Sequence, residues 1–130
     1  MQTALMAESG LSRLGSQLAS DLVPVVGSVL GTRAEFNRCY FLAYRPGDYI
    51  AAHDDKQTGN RINLQIPVPL GCRSCIRILD EGTGLLEMKE DIAGQLRFLG
   101  PAVWHDVPPF VADQSAIRFN FMLRYRYGND

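Results

Sequence analysis

Arg61-Ile62-Asn63-Leu64-Gln65-Ile66-Pro67-Val68-Pro69-Leu70 is the stretch on which the fold turns. Ile62, Leu64, Ile66, Val68 and Leu70 alternate with Arg61, Asn63, Gln65, Pro67 and Pro69. Successive side chains of a strand point to opposite faces, so this period of two reads as a β-strand. Proline cannot donate to a ladder, so Pro67 and Pro69 predict that the second half is an edge or an exit.

The same texture extends in both directions. Ser115 to Tyr127 alternates most regularly, with Ala116, Arg118, Asn120, Met122 and Arg124 on one face. Ile117, Phe119, Phe121, Leu123 and Tyr125 form the other, a core face. Ala34 to Tyr44 is aromatic-rich and strand-like, and Tyr49 to His53 follows a Pro46-Gly47 turn. The polar run Asp54 to Asn60 reads as a loop. Gly71 turns the chain into Arg73 to Leu79, and Asp80 to Gly84 turns it again. Leu85 to Met88, Gln95 to Leu99 and Val103 to Val107 supply further short strands. Roughly eight strands with turns every eight to twelve residues or so predict a mainly β barrel or double-sheet jelly roll. The connections are too short for parallel βαβ crossovers.

Residues 3 to 22 differ. Leu11, Leu14, Leu18 and Leu22 make one apolar stripe at helical spacing, interrupted or begun at Ser9-Gly10. Such an amphipathic helix is expected to pack on the outside of a sheet. Val23 to Gly31 is apolar but contains Pro and Gly, which predicts a buried connector. No repeat or domain boundary is visible. Residues 1–130 read as a single domain, with 1–31 a helical lead-in and 32–130 the β core.

The chain has 130 residues, 46% apolar and 21% charged, with a formal net charge of −1. That length can bury a core without staples. The near-neutral charge and the lack of a long basic run argue against nucleic acid as a partner. No segment has the length of a membrane span, and the first residues have no secretory pattern. Three cysteines, an odd number, read as free thiols of a cytoplasmic protein. Cys72-Arg-Ser-Cys75 is a lone pair; a structural zinc would need two further ligands, of which Cys39 can supply one.

Chemistry concentrates in Tyr44-Arg-Pro-Gly-Asp-Tyr-Ile-Ala-Ala-His53-Asp54-Asp55. Strand alternation projects His53 and Asp55 together and turns Asp54 away. The chain's other histidine, His105, lies in a second apolar segment. Two histidines and one carboxylate on a β framework are what a non-haem Fe(II) centre with open positions requires. The bland alternative is a surface histidine beside structural aspartates. Arg118 and Asn120 face either solvent or a polar cavity. An inward arginine needs an anionic partner, and a planar guanidinium suits a carboxylate in two-point contact.

Over about residues 36 to 126 the chain resembles the Fe(II)- and 2-oxoglutarate-dependent dioxygenases, whose fold is a double-stranded β-helix. The elements that carry the resemblance are His53-Asp54-Asp55, the distal His105, and Arg118 thirteen residues further on. Tyr44-x-x-Gly47 before His53-x-Asp55 looks like the prolyl 4-hydroxylase type. Arg61-Ile-Asn-Leu-Gln-Ile-Pro67, Gly71-Cys72 and Gly94-Gln-Leu-Arg-Phe98 before Trp104-His105 are similar to the aspartyl/asparaginyl β-hydroxylases.

The resemblance implies that His53, Asp55 and His105 hold Fe(II). It implies that Arg118 pairs with the distal carboxylate of 2-oxoglutarate. Tyr44 would add a hydrogen bond, or be simply packing, and Arg61 or Asn63 are further candidates to touch a carboxylate. Many members carry a serine two residues after the arginine; here Asn120 takes that place as the second anchor. The aspartyl/asparaginyl enzymes lack the Asp ligand, whereas Asp55 is present. The reaction implied consumes O2 and 2-oxoglutarate and hydroxylates an amino acid, a peptidyl side chain or a related small metabolite, with ascorbate as an assay reductant. The chain is short for the family, so the cover over the substrate is small or comes from a partner subunit, as in a homodimer. Two other readings remain: a cupin-like metalloenzyme that does not use 2-oxoglutarate, and a non-catalytic β-barrel binding module with a vestigial site.

Overall fold

The computed structural model describes residues 2–4, 10–56 and 60–128. In chain order the elements are β1 (Gln2–Ala4), α1 (Gly10–Leu30), β2 (Ala34–Tyr44), β3 (Ile50–His53) and β4 (Arg61–Leu70). They continue with β5 (Cys75–Leu79), β6 (Leu86–Glu90), β7 (Arg97–Leu99), β8 (Trp104–Val107) and β9 (Ile117–Tyr127). All strand pairs are antiparallel and form two sheets, β1-β2-β9-β4-β7 and β3-β8-β5-β6. This is the jelly-roll, double-stranded β-helix architecture, with a helix on the outer face of the larger sheet. Among the described residues no helix is long and apolar enough to cross a membrane.

β4 shows how the alternation is used. Ile62 and Leu64 lie under α1, while Asn63 and Gln65 are also buried, at 3% exposure each. Both faces of the strand are therefore covered, and the polar face lines the barrel interior. β7 pairs with β4 only over Asn63 to Gln65, whereas β9 runs alongside the whole strand. From Pro67 onward β4 is thus an edge, as its missing N–H donors require.

β9 divides in the same way. Leu123 and Tyr125 pack with Ala19, Val26, Ala34, Ile62 and Leu64 between helix and sheet. A second cluster fills the space between the sheets: Leu42, Tyr44, Ile76, Leu99, Val107, Phe110 and Ala116. β2 serves both clusters because its register with β9 slips by one residue between Phe36 and Arg38. Before the slip Ala34 and Phe36 face the helix; after it Leu42 and Tyr44 face the interior. A bulge inserts one unpaired residue and so flips the faces of everything beyond it.

Two N-terminal expectations are corrected. Residues 2–4 form β1, paired to Phe41–Ala43 of β2, and not the start of a helix; residues 5–9 lie outside the described ones. Val23 to Leu30 is the second half of α1 and not a connector. Pro24 sits inside the helix on its exposed side, and so does Ser20, whose carbonyl it deprives of a donor; water can serve that carbonyl. The stripe facing the sheet is Gly15, Ala19 and Val26, buried, with Leu18, Leu22, Val23 and Leu30 partly buried beside them, and Leu14 is 49% exposed. Burial against the sheet overrides the weak helix propensity of valine, glycine and proline. The helix ends where Gly31 adopts φ 68° and Thr32 N donates to Gly27 O at 3.2 Å, a Schellman stop.

Candidate metal centre and its buried arginine

The turn before β3 is built from Arg45-Pro46-Gly47-Asp48. Asp48 N donates to Arg45 O at 3.0 Å and Gly47 has φ 90°, which a type II turn requires at that position. It returns the chain along β8, so that His53 at the end of β3 lies opposite His105. Their ring centroids are 4.4 Å apart. Asp55 lies just beyond the strand, its N–H donating to Pro101 O at 2.9 Å. One donor atom from each of His53, Asp55 and His105 lies within 4.8 Å of the others. The neighbouring carboxylates turn away: Asp54 meets Lys56 at 3.7 Å, and Asp106 takes Arg77 in two-point contact.

The imidazoles are oriented in the same way. His53 Nδ1 is 2.8 Å from Ala51 O, and His105 Nδ1 is 2.9 Å from Val103 O. A carbonyl can only accept, so each Nδ1 donates, which in the neutral ring leaves the lone pair on Nε2, the tautomer a metal ligand needs. Asp55 Oδ2 accepts a 2.8 Å hydrogen bond from Asn63 Nδ2, and Asn63 Oδ1 accepts one of 2.9 Å from Arg124 Nε. Two imidazole nitrogens and a carboxylate oxygen, each with an outer support, are a donor set suited to Fe(II).

Arg118 is wholly buried. Its Nε and Nη2 donate to Asp91 Oδ2 and Oδ1 at 2.6 and 3.3 Å. Asp91 also accepts from Ser74 Oγ at 2.7 Å and from Arg97 Nη1 at 3.1 Å. Burial alone would push the Asp91 carboxyl up, but its bonds to Arg118 and Ser74 and the charge of the arginines hold it below its ordinary value. The Arg118 guanidinium lies 4.8 Å from the centroid of the Tyr44 ring. Burial raises the Tyr44 phenol, with Arg118 partly offsetting the rise. Arg118 Nη1 and Asn120 Oδ1 are buried without a hydrogen-bond partner. An orphaned donor such as Arg118 Nη1 is costly unless an acceptor meets it, so Nη1 suits an anionic ligand, whereas Asn120 Oδ1 calls for a donor.

The other candidates are placed as follows. Asn63 is engaged at both ends, with Asp55 and Arg124. Asn120 Nδ2 makes a weak contact to Met122 Sδ at 3.4 Å. Arg61 stands at the outer end of β4, with Nη1 3.5 Å from Asn60 O. Asp91, Ser74 and Arg97 were not legible as site residues. The one signal was that an inward arginine demands an anion, and the resemblance assigned that part to a cosubstrate. Burial pushes the thiols of Cys72 and Cys75 above their ordinary value, which disfavours the thiolate.

No protein-family model matches the chain, and no curated protein sequence matches it. Solved structures do match. An oxidoreductase of the 2OG-Fe(II) oxygenase family from Burkholderia pseudomallei superposes with a TM-score of 0.73 at 15% identity, over 88% of this chain and 56% of that one. The non-heme alpha ketoglutarate dependent epimerase SnoN from nogalamycin biosynthesis gives 0.76 at 14% identity, over 95% and 60%. A Pseudomonas putida prolyl-4-hydroxylase gives 0.66 at 16% identity, over 99% and 72%. The chain therefore spans less than two thirds of the length of the first two. At these identities the likeness is one of fold: the chain has the double-stranded β-helix of proteins described as 2-oxoglutarate- and Fe(II)-dependent.

Proposed function

We propose that the chain is an Fe(II)- and 2-oxoglutarate-dependent oxygenase that hydroxylates an amino acid, a peptidyl side chain or a related small metabolite. The observation that carries this reading is the convergence of His53, Asp55 and His105, one donor atom from each within 4.8 Å of the others. The two Nε2 atoms and the Asp55 carboxylate would hold Fe(II). Asn63 and Arg124 keep that carboxylate from rotating away. Arg118 Nη1, with Tyr44 beside it, would meet the distal carboxylate of 2-oxoglutarate. With O2, the iron and the 2-oxo acid together supply the oxidising power: a C–H bond becomes C–OH while 2-oxoglutarate becomes succinate and CO2.

The Arg118–Asp91 pair favours a second reading, a metalloenzyme of the same fold that does not use 2-oxoglutarate. Metal content and cosubstrate binding separate the two. Wild-type protein should bind Fe(II) or Mn(II) near one equivalent, and His53→Ala and Asp55→Ala should abolish tight binding. The iron-loaded protein should then bind 2-oxoglutarate and release succinate with a substrate. Metal uptake without 2-oxoglutarate binding would leave the second reading standing, and no metal uptake would defeat both.

A further inference from the structure

β6 is an outer edge of the smaller sheet, and all five of its residues, Leu86 to Glu90, are exposed. Among the described residues no strand lies beyond it. Such an edge presents N–H and C=O groups that can template another strand. The bonds at its two ends say which groups these are. Leu85 O accepts from Asp80 N, and Asp91 N donates to Ser74 O, both at 2.9 Å. These odd-numbered residues turn their backbone towards β5, so by alternation Glu87 and Lys89 do the same. Leu86, Met88 and Glu90 turn theirs outward.

The register with β5 sorts the side chains. Glu87 and Lys89 stand opposite Ile78 and Ile76, which pack in the cluster between the sheets. They pair with each other at 2.6 Å. Leu86, Met88 and Glu90 share the outer face with Leu79, Arg77 and Cys75. Charges commonly guard an edge strand. On the outer face of this one, Leu86 and Met88 stand 60% and 69% exposed.

We propose that two copies of the chain associate edge to edge through β6, antiparallel and centred on Met88. Met88 then faces Met88 of the partner subunit, and Leu86 faces Glu90 of the partner subunit, all of them residues whose backbone groups point outward. Glu87 faces Lys89 of the partner subunit, and the two-fold axis repeats that pair with the roles exchanged. Neighbouring registers fail. Centring on Glu87 or on Lys89 sets like charges directly opposite, which is destabilising. Centring on Leu86 or Glu90 leaves most of β6 unpaired. Glu90 O already takes a 3.4 Å contact from Arg97 Nη2, so the Met88 pair is the main one.

The pairing extends the sheet that carries the metal site. His53, His105, Ile78 and Glu87 form one cross-strand row on its inner face. Lys89 of the partner subunit becomes the next member of that row.

The test is sedimentation of the wild-type chain over a range of concentrations. A strand this short supports a weak dimer, with a Kd of about 1–100 μM. A monomer at every concentration up to about 1 mM overturns the proposal. Met88→Pro removes an outward N–H while the ladder with β5 keeps all its donors. It should fold and stay monomeric; a folded Met88→Pro that still dimerises overturns the proposal, because the contact then lies elsewhere.

The charges decide the register, and they decide the case if Met88→Pro does not fold. Lys89→Glu and Glu87→Lys should each weaken self-association by about tenfold or more, since each makes both cross-strand pairs repulsive. An equimolar mixture of the two variants restores opposite charges across the edge and should associate within about threefold of wild type. Single variants that dimerise like wild type, or a mixture no tighter than its components, overturn the proposal.

Discussion

Asn63 holds Asp55 through one hydrogen bond of 2.8 Å, Nδ2 to Oδ2, and is itself held by Arg124 at 2.9 Å. The carboxylate of the candidate metal site is thereby aimed by a neighbouring strand, since Asp55 lies past the end of its own. Asn63→Ala should weaken Mn(II) or Fe(II) binding by roughly 10–100-fold, the usual cost of losing an outer support. Metal titration checks this. Arg124→Leu, one link further out, should act in the same direction with a smaller effect.

The Asp91 cluster makes stability sensitive to acid. The folded-state carboxyl is held below its ordinary value of 3.8, so its contribution is fully present above that value. It is lost as pH falls through the lowered folded-state value. Wild type should therefore lose stability below about pH 4, and Asp91→Asn should flatten that part of a curve of denaturation midpoint against pH. Arg118→Leu breaks the pair from the other side and should cost about 3–5 kcal/mol at neutral pH.

At the alkaline end the sign reverses. Tyr125 is fully buried, donates to Ala19 O at 2.8 Å, and has its phenol pushed up to about 12 by burial. The unfolded chain ionises this group near its ordinary value of 10.0. Stability is thus intact below that value and falls as pH rises from there towards about 12. Absorbance titration should show a late-ionising tyrosine in wild type that is missing in Tyr125→Phe.

The helix–sheet interface can be weakened without touching the site. Leu123 is fully buried under α1, on the face of β9 opposite Arg118 and Arg124. Leu123→Ala should lower stability by about 2–5 kcal/mol in denaturant titration, while the metal stoichiometry stays at its wild-type value.

The strands were legible because alternation over Arg61–Leu70 and Ile117–Tyr127 survives in any double-layered β fold. What alternation could not say is which face is which. Arg118 and Asn120 read as facing either solvent or a polar cavity, and the cavity side is the one they take: with Asn63 and Gln65 they are buried at 3% exposure or less. The apolar face was the outer one, covered by a helix. That helix was underestimated at Val23 to Leu30 because Pro24 and Gly27 are local breakers, and only the sheet beneath supplies the burial that outweighs them. His53, Asp55 and His105 stood out because the chain has just two histidines. Asp91 did not, since a lone aspartate between short strands looks like any turn residue until Arg118 is seen beside it.

The slip between Phe36 and Arg38 means that β2 is read in two frames. Its first part is written for the helix and its second for the barrel interior, with one inserted residue as the change of phase. Were Asn37 paired in the ladder like its neighbours, the rest of the strand would fall out of phase: Leu42 and Tyr44 would turn to the outer face and Phe41 and Ala43 inward, although no residue of the metal triad had been altered. Deleting Asn37, by contrast, leaves Tyr44 opposite Arg118, because Asn37 has no partner in β9. Whether a position with no chemistry of its own is paired or left out therefore decides whether Tyr44 reaches Arg118 at all.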